Sequence, residues 1–136
     1  CISSAASDVY KRQAYAFTDA QISRSNAGDQ GQAVAGAPRH TASAWLSHRF
    51  AAQGRGGWVV GAGVRYTGSQ WTGTSAITTP AATLADAMVA YDAGDWRVAF
   101  NVVNLTDKVH ITQCLARGDC FYGQARTYTL TSTYRF

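Results

Sequence analysis

In "GWVVGAGVRYTG", residues 57–68, side-chain character changes at every step. Trp58, Val60, Ala62, Val64 and Tyr66 fall on one side, and Val59, Gly61, Gly63 and Arg65 on the other. A repeat of two is the repeat of a β-strand. Five further runs show it, near 14–23, 41–51, 83–92, 95–105 and 126–136. Within "DWRVAFNVVN", Trp96, Val98, Phe100 and Val102 oppose Arg97, Ala99 and Asn101. In 41–51, Ala42, Ala44, Leu46 and Phe50 oppose Ser43, Ser47 and Arg49, with His48 interrupting the apolar side. The closing run sets Tyr128, Leu130, Tyr134 and Phe136, broken by Ser132, against Thr127, Thr129, Thr131 and Thr133. No helical repeat lasts three turns, so the chain reads as all-β, with six antiparallel strands.

What the two faces are made of narrows the choice. A soluble sandwich packs bulky aliphatic residues inward. Here the apolar faces carry Ala and Val in mid-strand and keep Trp, Tyr and Phe for the ends, while the opposite faces carry Gly, Ser, Thr, Asn and Arg. That distribution fits strands of a transmembrane β-barrel, with lipid outside and a hydrated or plugged lumen inside. The connections fit as well. Two are short, "AAQGRGG" and "DAGD"; three are long, 24–40, 69–82 and 106–125. Tight periplasmic turns alternating with large external loops are a barrel trait, whereas loops of that length count against a compact soluble domain.

Aromatic residues flank both short turns: Phe50 and Trp58, then Tyr91 and Trp96. With Tyr15, Tyr134 and Phe136 they are expected at one membrane face, where an apolar ring with a polar handle is favoured. Eight steps from Trp58 to Tyr66 span roughly 26 Å of strand. Tilted by roughly 40°, that run crosses about 20 Å of depth, close to the apolar band of such barrels. Bacterial outer-membrane barrels commonly finish on an aromatic residue that the assembly machinery reads, so Phe136 is the expected contact for that partner.

Composition changes the picture little. Lys and Arg exceed Asp by four with no basic run, which disfavours nucleic acid as a partner. No apolar stretch is long enough for a spanning helix. The chain contains no glutamate, and no nucleophile–base or paired-carboxylate arrangement stands out, so an enzyme is not expected. The first thirteen residues, "CISSAASDVYKRQ", have no repeat, and Asp8 to Gln13 are what mosaic-end DNA from transposon-based sequencing libraries would encode. Residues 1–13 are therefore read as a library scar on a truncated metagenomic gene, and residues 14–136 as the native part.

At "NVVNLTDKVHITQC" a family resemblance begins. Asn104, Leu105, Thr106, Asp107 and Lys108 resemble the Asn-Leu-x-Asp-Lys signature that precedes the last external loop of TonB-dependent outer-membrane receptors. The following "CLARGDCFYGQARTYTLTSTYRF" is similar to the ending of ferrichrome-type siderophore receptors: a cysteine pair, an aromatic pair, Gly, a basic residue and a strand ending in Arg-Phe. "APRHTASAWLSHRF" and "GAGVRYTG" resemble the preceding strands. One departure is Val109 and His110, where an aromatic usually follows Lys108. The resemblance implies a barrel of about 22 strands, of which these would be the last six, in a Gram-negative outer membrane. It also implies TonB-coupled import of a ferric siderophore, with the plug domain and its contact to the TonB–ExbB–ExbD energy complex lying upstream. Rival readings are another cargo such as cobalamin or a glycan, a passive porin, and a structural barrel.

The candidate chemistry follows from that resemblance. Cys114 and Cys120 are expected to form a disulfide bracing the last external loop, consistent with an oxidising compartment; unrelated thiols are the bland alternative. Trp71, Phe121 and Tyr122 could cover the apolar skeleton of a chelate, and Arg117 or Arg126 could attract a polar rim. Leu115 follows the first loop cysteine, a position that can reach ligand in ferrichrome-type relatives. Iron would arrive wrapped in its chelator, so no metal site or cofactor is expected, and His40, His48 and His110 read as interfacial or solvent residues. The lumen arginines Arg49, Arg65, Arg97 and Arg135 are expected to meet plug carboxylates. Gly61 and Gly63 face the lumen and leave room for close packing.

Overall fold

The computed structural model describes residues 9–51, 56–73 and 77–136. Most of the N-terminal segment expected to be foreign, residues 1–8, and the middle of the first short turn, residues 52–55, lie outside them. Among the described residues all regular structure is β. Six long strands form one antiparallel sheet in the order β1 (Val9–Phe17), β2 (His40–Ala51), β3 (Gly56–Thr67), β6 (Ala82–Ala93), β7 (Trp96–Val103) and β10 (Thr127–Tyr134). Two small hairpins occupy the external loops: β4 (Gln70–Trp71) with β5 (Thr78–Thr79), and β8 (Ile111–Cys114) with β9 (Cys120–Tyr122). Every long strand pairs with its neighbour in sequence among the six, a meander, and β1 and β10 form the two edges of the sheet.

Register fixes the faces. Trp58 pairs with Phe50 and Tyr91, and Val64 with Ala44 and Ala85, so these side chains share one side. On it Trp58, Val60, Val64, Trp96, Val98, Phe100 and Leu130 are all exposed. No second sheet or helix of the described chain covers them, so the apolar face is the outer, lipid-facing one. Val102 is the exception on that side: it is buried, and its ladder partners are Ala87 and Tyr128.

The other side is a polar lumen wall. Asp92 pairs with both Arg49 and Arg97 at 3.3 Å, and Asp86 receives Arg65 at 2.6 Å. Three of the four lumen arginines expected to meet plug carboxylates thus have carboxylate partners in the wall itself. Register explains this: Asp92 lies opposite Arg97 on β7, and Asp86 lies opposite Gly63, two residues from Arg65 on the same face. Arg135 instead uses its backbone, donating its N–H to the Asp95 carbonyl at 2.9 Å. The packing partner of Gly61 and Gly63 is Trp45, whose indole lies flat on both; a Cβ at either glycine would run into it. Trp45 belongs to the lumen face of β2, a large aromatic on an otherwise small and polar side.

Aromatic belts mark both ends of the wall. At the lower end Trp58 meets Tyr91 with centroids 4.7 Å apart, and Trp96 meets Tyr134 at 5.0 Å. The His48 ring stands edge-on to Phe50 at 4.2 Å, which accommodates the polar interruption. Phe136 lies beyond β10, fully exposed. Tyr15 departs from expectation. It pairs with Ala42 near the external end, and its hydroxyl lies 2.9 Å from Nδ1 of His40, so it belongs to the upper belt with Phe17. The reason is the placement of the first strand, which runs over 9–17 rather than 14–23. Excluding residues 1–13 had put Tyr15 at the bottom of that strand instead of near its top. Lys11 pairs with Leu46 and Gln13 with Ala44, on the outer face. On the other five strands that face bears no Lys, Arg or Asp.

Candidate functional site: a cap of three interlocked external loops

The upper ends of the strands carry three long connections, and these form one body. From the first, Gly36 donates its N–H to the Trp71 carbonyl of the second at 2.8 Å. Gly36 has φ 76°, a conformation open to glycine, and a Cβ there would press on Gln113 of the third connection. Gly73, φ 99°, fits against Ala35 of the first and Ala116 of the third. Gln70 Nε2 donates to the Thr112 carbonyl at 3.4 Å, and the Cys114 N–H donates to Thr79 Oγ1 at 3.0 Å. Thr72 Oγ1 donates to the Ile77 carbonyl at 2.6 Å, closing the second loop on itself. Strand β5 lies against β8. Gln70, Thr72, Thr79 and Cys114 are buried, a small polar core in which the bonds named here use a group of each residue. Buried polar groups so paired fix geometry, because each would cost free energy if left alone.

Cys114 and Cys120 are joined in a disulfide that closes the β8–β9 hairpin. Inside the ring Leu115 N–H donates to the Asp119 carbonyl at 2.8 Å and Gly118 turns at φ 104°. Leu115 is half-buried; Arg117 pairs with Asp119 and is exposed. Phe121 and Tyr122 on β9 are exposed, and Trp71 on β4 is half-buried. Trp71, Leu115, Arg117, Phe121 and Tyr122 therefore all belong to the two joined hairpins. Arg126 stands apart. It precedes β10 with the parity of Tyr128, its guanidinium 5.7 Å from that outward-facing ring and 3.7 Å from the Asp107 carboxylate, so it braces the loop-side end of the last strand. His110 packs flat against Gly123, whose missing Cβ makes the space, with Nδ1 3.2 Å from the Lys108 carbonyl.

The stretch Asn104 to Lys108 roots the third loop in the wall. Asn104 is wholly buried and adopts φ 55°, a left-handed conformation that Asn tolerates better than most residues. Its Nδ2 donates to the Lys108 carbonyl at 3.0 Å and the Gln124 carbonyl at 3.1 Å, while Oδ1 accepts the Lys108 N–H at 2.9 Å. One side chain thus holds both ends of the loop. Its own N–H donates to Asp86 Oδ1 at 3.0 Å, and Leu105 N–H to the Ala85 carbonyl at 2.7 Å. Asp107 repeats the device: it turns at φ 52° and Oδ1 accepts the Arg126 N–H at 2.9 Å. The signature residues are structural, and the chemistry they need is an amide and a carboxylate beside left-handed turns.

The model of the TonB dependent receptor-like β-barrel family matches residues 4–105. The chain belongs to that family. Among curated proteins it is 32% identical to a ferrioxamine B receptor of Salmonella typhimurium over 99% of this chain and 20% of that protein. It is 33% identical to the ferrichrome outer membrane transporter/phage receptor of Escherichia coli over 90% of this chain and 17% of that one. The chain thus spans about a fifth of the length of these relatives, which are transport receptors. Among solved structures, the closed form of the ferric-catecholate import receptor Fiu of Escherichia coli superposes with a TM-score of 0.76 at 26% identity, over 94% of this chain and 19% of that one. The ferric preacinetobactin receptor BauA of Acinetobacter baumannii, at 20% identity, shares the fold with a TM-score of 0.75 over 91% of this chain and 19% of that one. Barrels of this family lie in the Gram-negative outer membrane, which is the medium the exposed apolar face requires.

Proposed function

We propose that this chain forms the C-terminal wall and part of the external cap of a receptor that imports a ferric siderophore. The observation that carries the reading is the interlocked cap: three loops pinned to one another and to the wall offer a fixed capture surface above a lumen. A surface already ordered before binding keeps the affinity that ordering would otherwise cost. The names of the relatives, ferrioxamine and ferrichrome receptors, supply the cargo class. In this reading Trp71, Phe121 and Tyr122 offer aromatic surface to the chelator skeleton, Leu115 offers an apolar contact, and Arg117 attracts a polar rim. Iron is cargo, ligated by its chelator, so the protein supplies no metal ligand. No bond is made or broken, which is why the protein is not an enzyme. Transport is driven by the TonB–ExbB–ExbD complex acting on an upstream plug, and Phe136 is read by the barrel assembly machinery.

The test is growth rescue. The full-length gene is placed in an iron-starved strain lacking its own siderophore receptors and offered ferrioxamine B, ferrichrome and a ferric catecholate. Growth on at least one chelate, lost when TonB is deleted, is expected. Growth that persists without TonB would make the barrel a passive pore. No rescue by any chelate, with the receptor present in the outer membrane and cobalamin or a glycan taken up instead, would replace the cargo.

A further inference from the structure

Among the described residues, Arg65 and Asp86 form the one lumen ion pair that also touches an external loop. Arg65 reaches Asp86 through two hydrogen bonds, Nε to Oδ2 at 2.6 Å and an Nη to Oδ1 at 3.1 Å. The same Oδ1 accepts the Asn104 N–H at 3.0 Å, and Asn104 in turn clasps Lys108 and Gln124, the two ends of the third loop. Arg65 also lines a cavity of about 170 Å³ between wall and cap, with Gln70, His110 and Thr112 on its loop side. The Arg49–Asp92–Arg97 cluster, by contrast, lies at the lower end of the wall beside the short turns, far along the strands from the external loops.

We propose that Asp86 is a positioning residue for ligand capture: it transmits the orientation of the lumen guanidinium of Arg65 to the root of the disulfide-braced loop. Its mid-wall carboxylate is a poor ligand contact and a good anchor. A charge-assisted bond aligned by a two-point guanidinium is stiffer than a neutral one. It ends on the backbone of a residue in a left-handed turn, so a small displacement of Asp86 rotates the clasp on both loop ends together. An anionic group entering the lumen at Arg65 would compete with Asp86, so wall and loop share one electrostatic contact. This inference rests on the import reading for its functional consequence, though the loop-ordering part stands without it.

The full-length receptor in outer-membrane vesicles provides the test, through two readouts. Binding and uptake of radio-iron-labelled ferrioxamine B separate capture from transport. Trypsin cleavage after Arg117, scored on reducing gels, reports loop order without any ligand. Asp86→Ala is expected to weaken binding and speed cleavage by roughly tenfold, the effect of one charge-assisted hydrogen bond, with uptake at saturating chelate within about twofold. Asp86→Asn keeps one oxygen for the Asn104 N–H but sets an amide NH2 against the Arg65 guanidinium, and is expected to lose roughly threefold in both, short of Asp86→Ala. Arg65→Met should fall between the two. If Asp86→Ala does not reach the membrane, Asp86→Asn and Arg65→Met carry the comparison. Wild-type affinity and wild-type cleavage in these variants would overturn the proposal. Wild-type receptor that ignores ferrioxamine B would count against that cargo, while the cleavage rates would still decide the role of Asp86.

Discussion

The wall and the cap are ordered by opposite means. On the wall, large apolar side chains are exposed on one face, and few residues of the described chain are buried at all. Order there comes from the backbone ladder and from lipid, which accepts any apolar side chain of about the right size. The cap is small and held by individually aimed hydrogen bonds to buried Gln70, Thr72, Thr79 and Asn104, with a disulfide between Cys114 and Cys120. The lesson is that the two regions differ in tolerance. The wall constrains the character of its residues, the cap their identity.

Three comparisons sharpen that contrast. The largest effect is expected at the junction. Asn104→Ala removes three side-chain hydrogen bonds from a buried site and places a Cβ-bearing residue without a compensating amide at positive φ. The loss should be on the order of 4 kcal/mol, read by denaturant titration of the full-length receptor in bilayers. Asn104→Gly relieves the backbone strain alone and should recover about 1 kcal/mol of it. Equal losses in the two variants would mean that the left-handed turn adds nothing to the clasp, and a glycine variant as stable as wild type would mean that the clasp contributes nothing.

On the wall the decisive pair is Leu130→Arg against Thr131→Arg, adjacent residues opposite Phe100 and Ala99 in the middle of β10. The first puts a charge toward hydrocarbon and should cost about 3 kcal/mol; the second faces water and should cost under about 1. Similar costs would break the assignment of the two faces. The smallest effect belongs to the disulfide. Replacing Cys114 and Cys120 by Ser opens a seven-residue ring, which loop-closure entropy values at about 2 kcal/mol. Cleavage after Arg117 should accelerate, with the wall strands unchanged by circular dichroism. A collapse of the whole barrel in this variant would mean that cap and wall are one cooperative unit.

The wall was largely legible because its constraint is a period. Five of the six long strands fall within two residues of the runs read from alternation, and the faces match the register. The first strand was misplaced because removing residues 1–13 removed its lower half. Trp45 escaped notice because a pattern of character sees a stray aromatic, whereas its meaning lies in two glycines on the next strand, Gly61 and Gly63. The cap was legible only in its parts. Its cysteine pair and the Asn104–Lys108 stretch could be picked out, but the hairpins β4–β5 and β8–β9 are too short to show a repeat. The bonds that join them link residues as far apart as Gln70 and Thr112 through single hydroxyl and amide groups, and nothing in composition marks these. Arg126 shows the same limit. On its sequence alone it could attract a polar rim, while its ties to Tyr128 and Asp107 appear only in the fold.

Among the described residues, the bonds that knit the three loops and root the third lie within residues 35–126, a contiguous block that also holds β2, β3, β6 and β7. A crossover between two receptor genes on either side of that block would carry the whole assembly across intact, hairpins, cystine and root together. Interlocking of this kind ties the cap to the four strands between its loops, so what a crossover would move is a panel of wall with its cap already assembled.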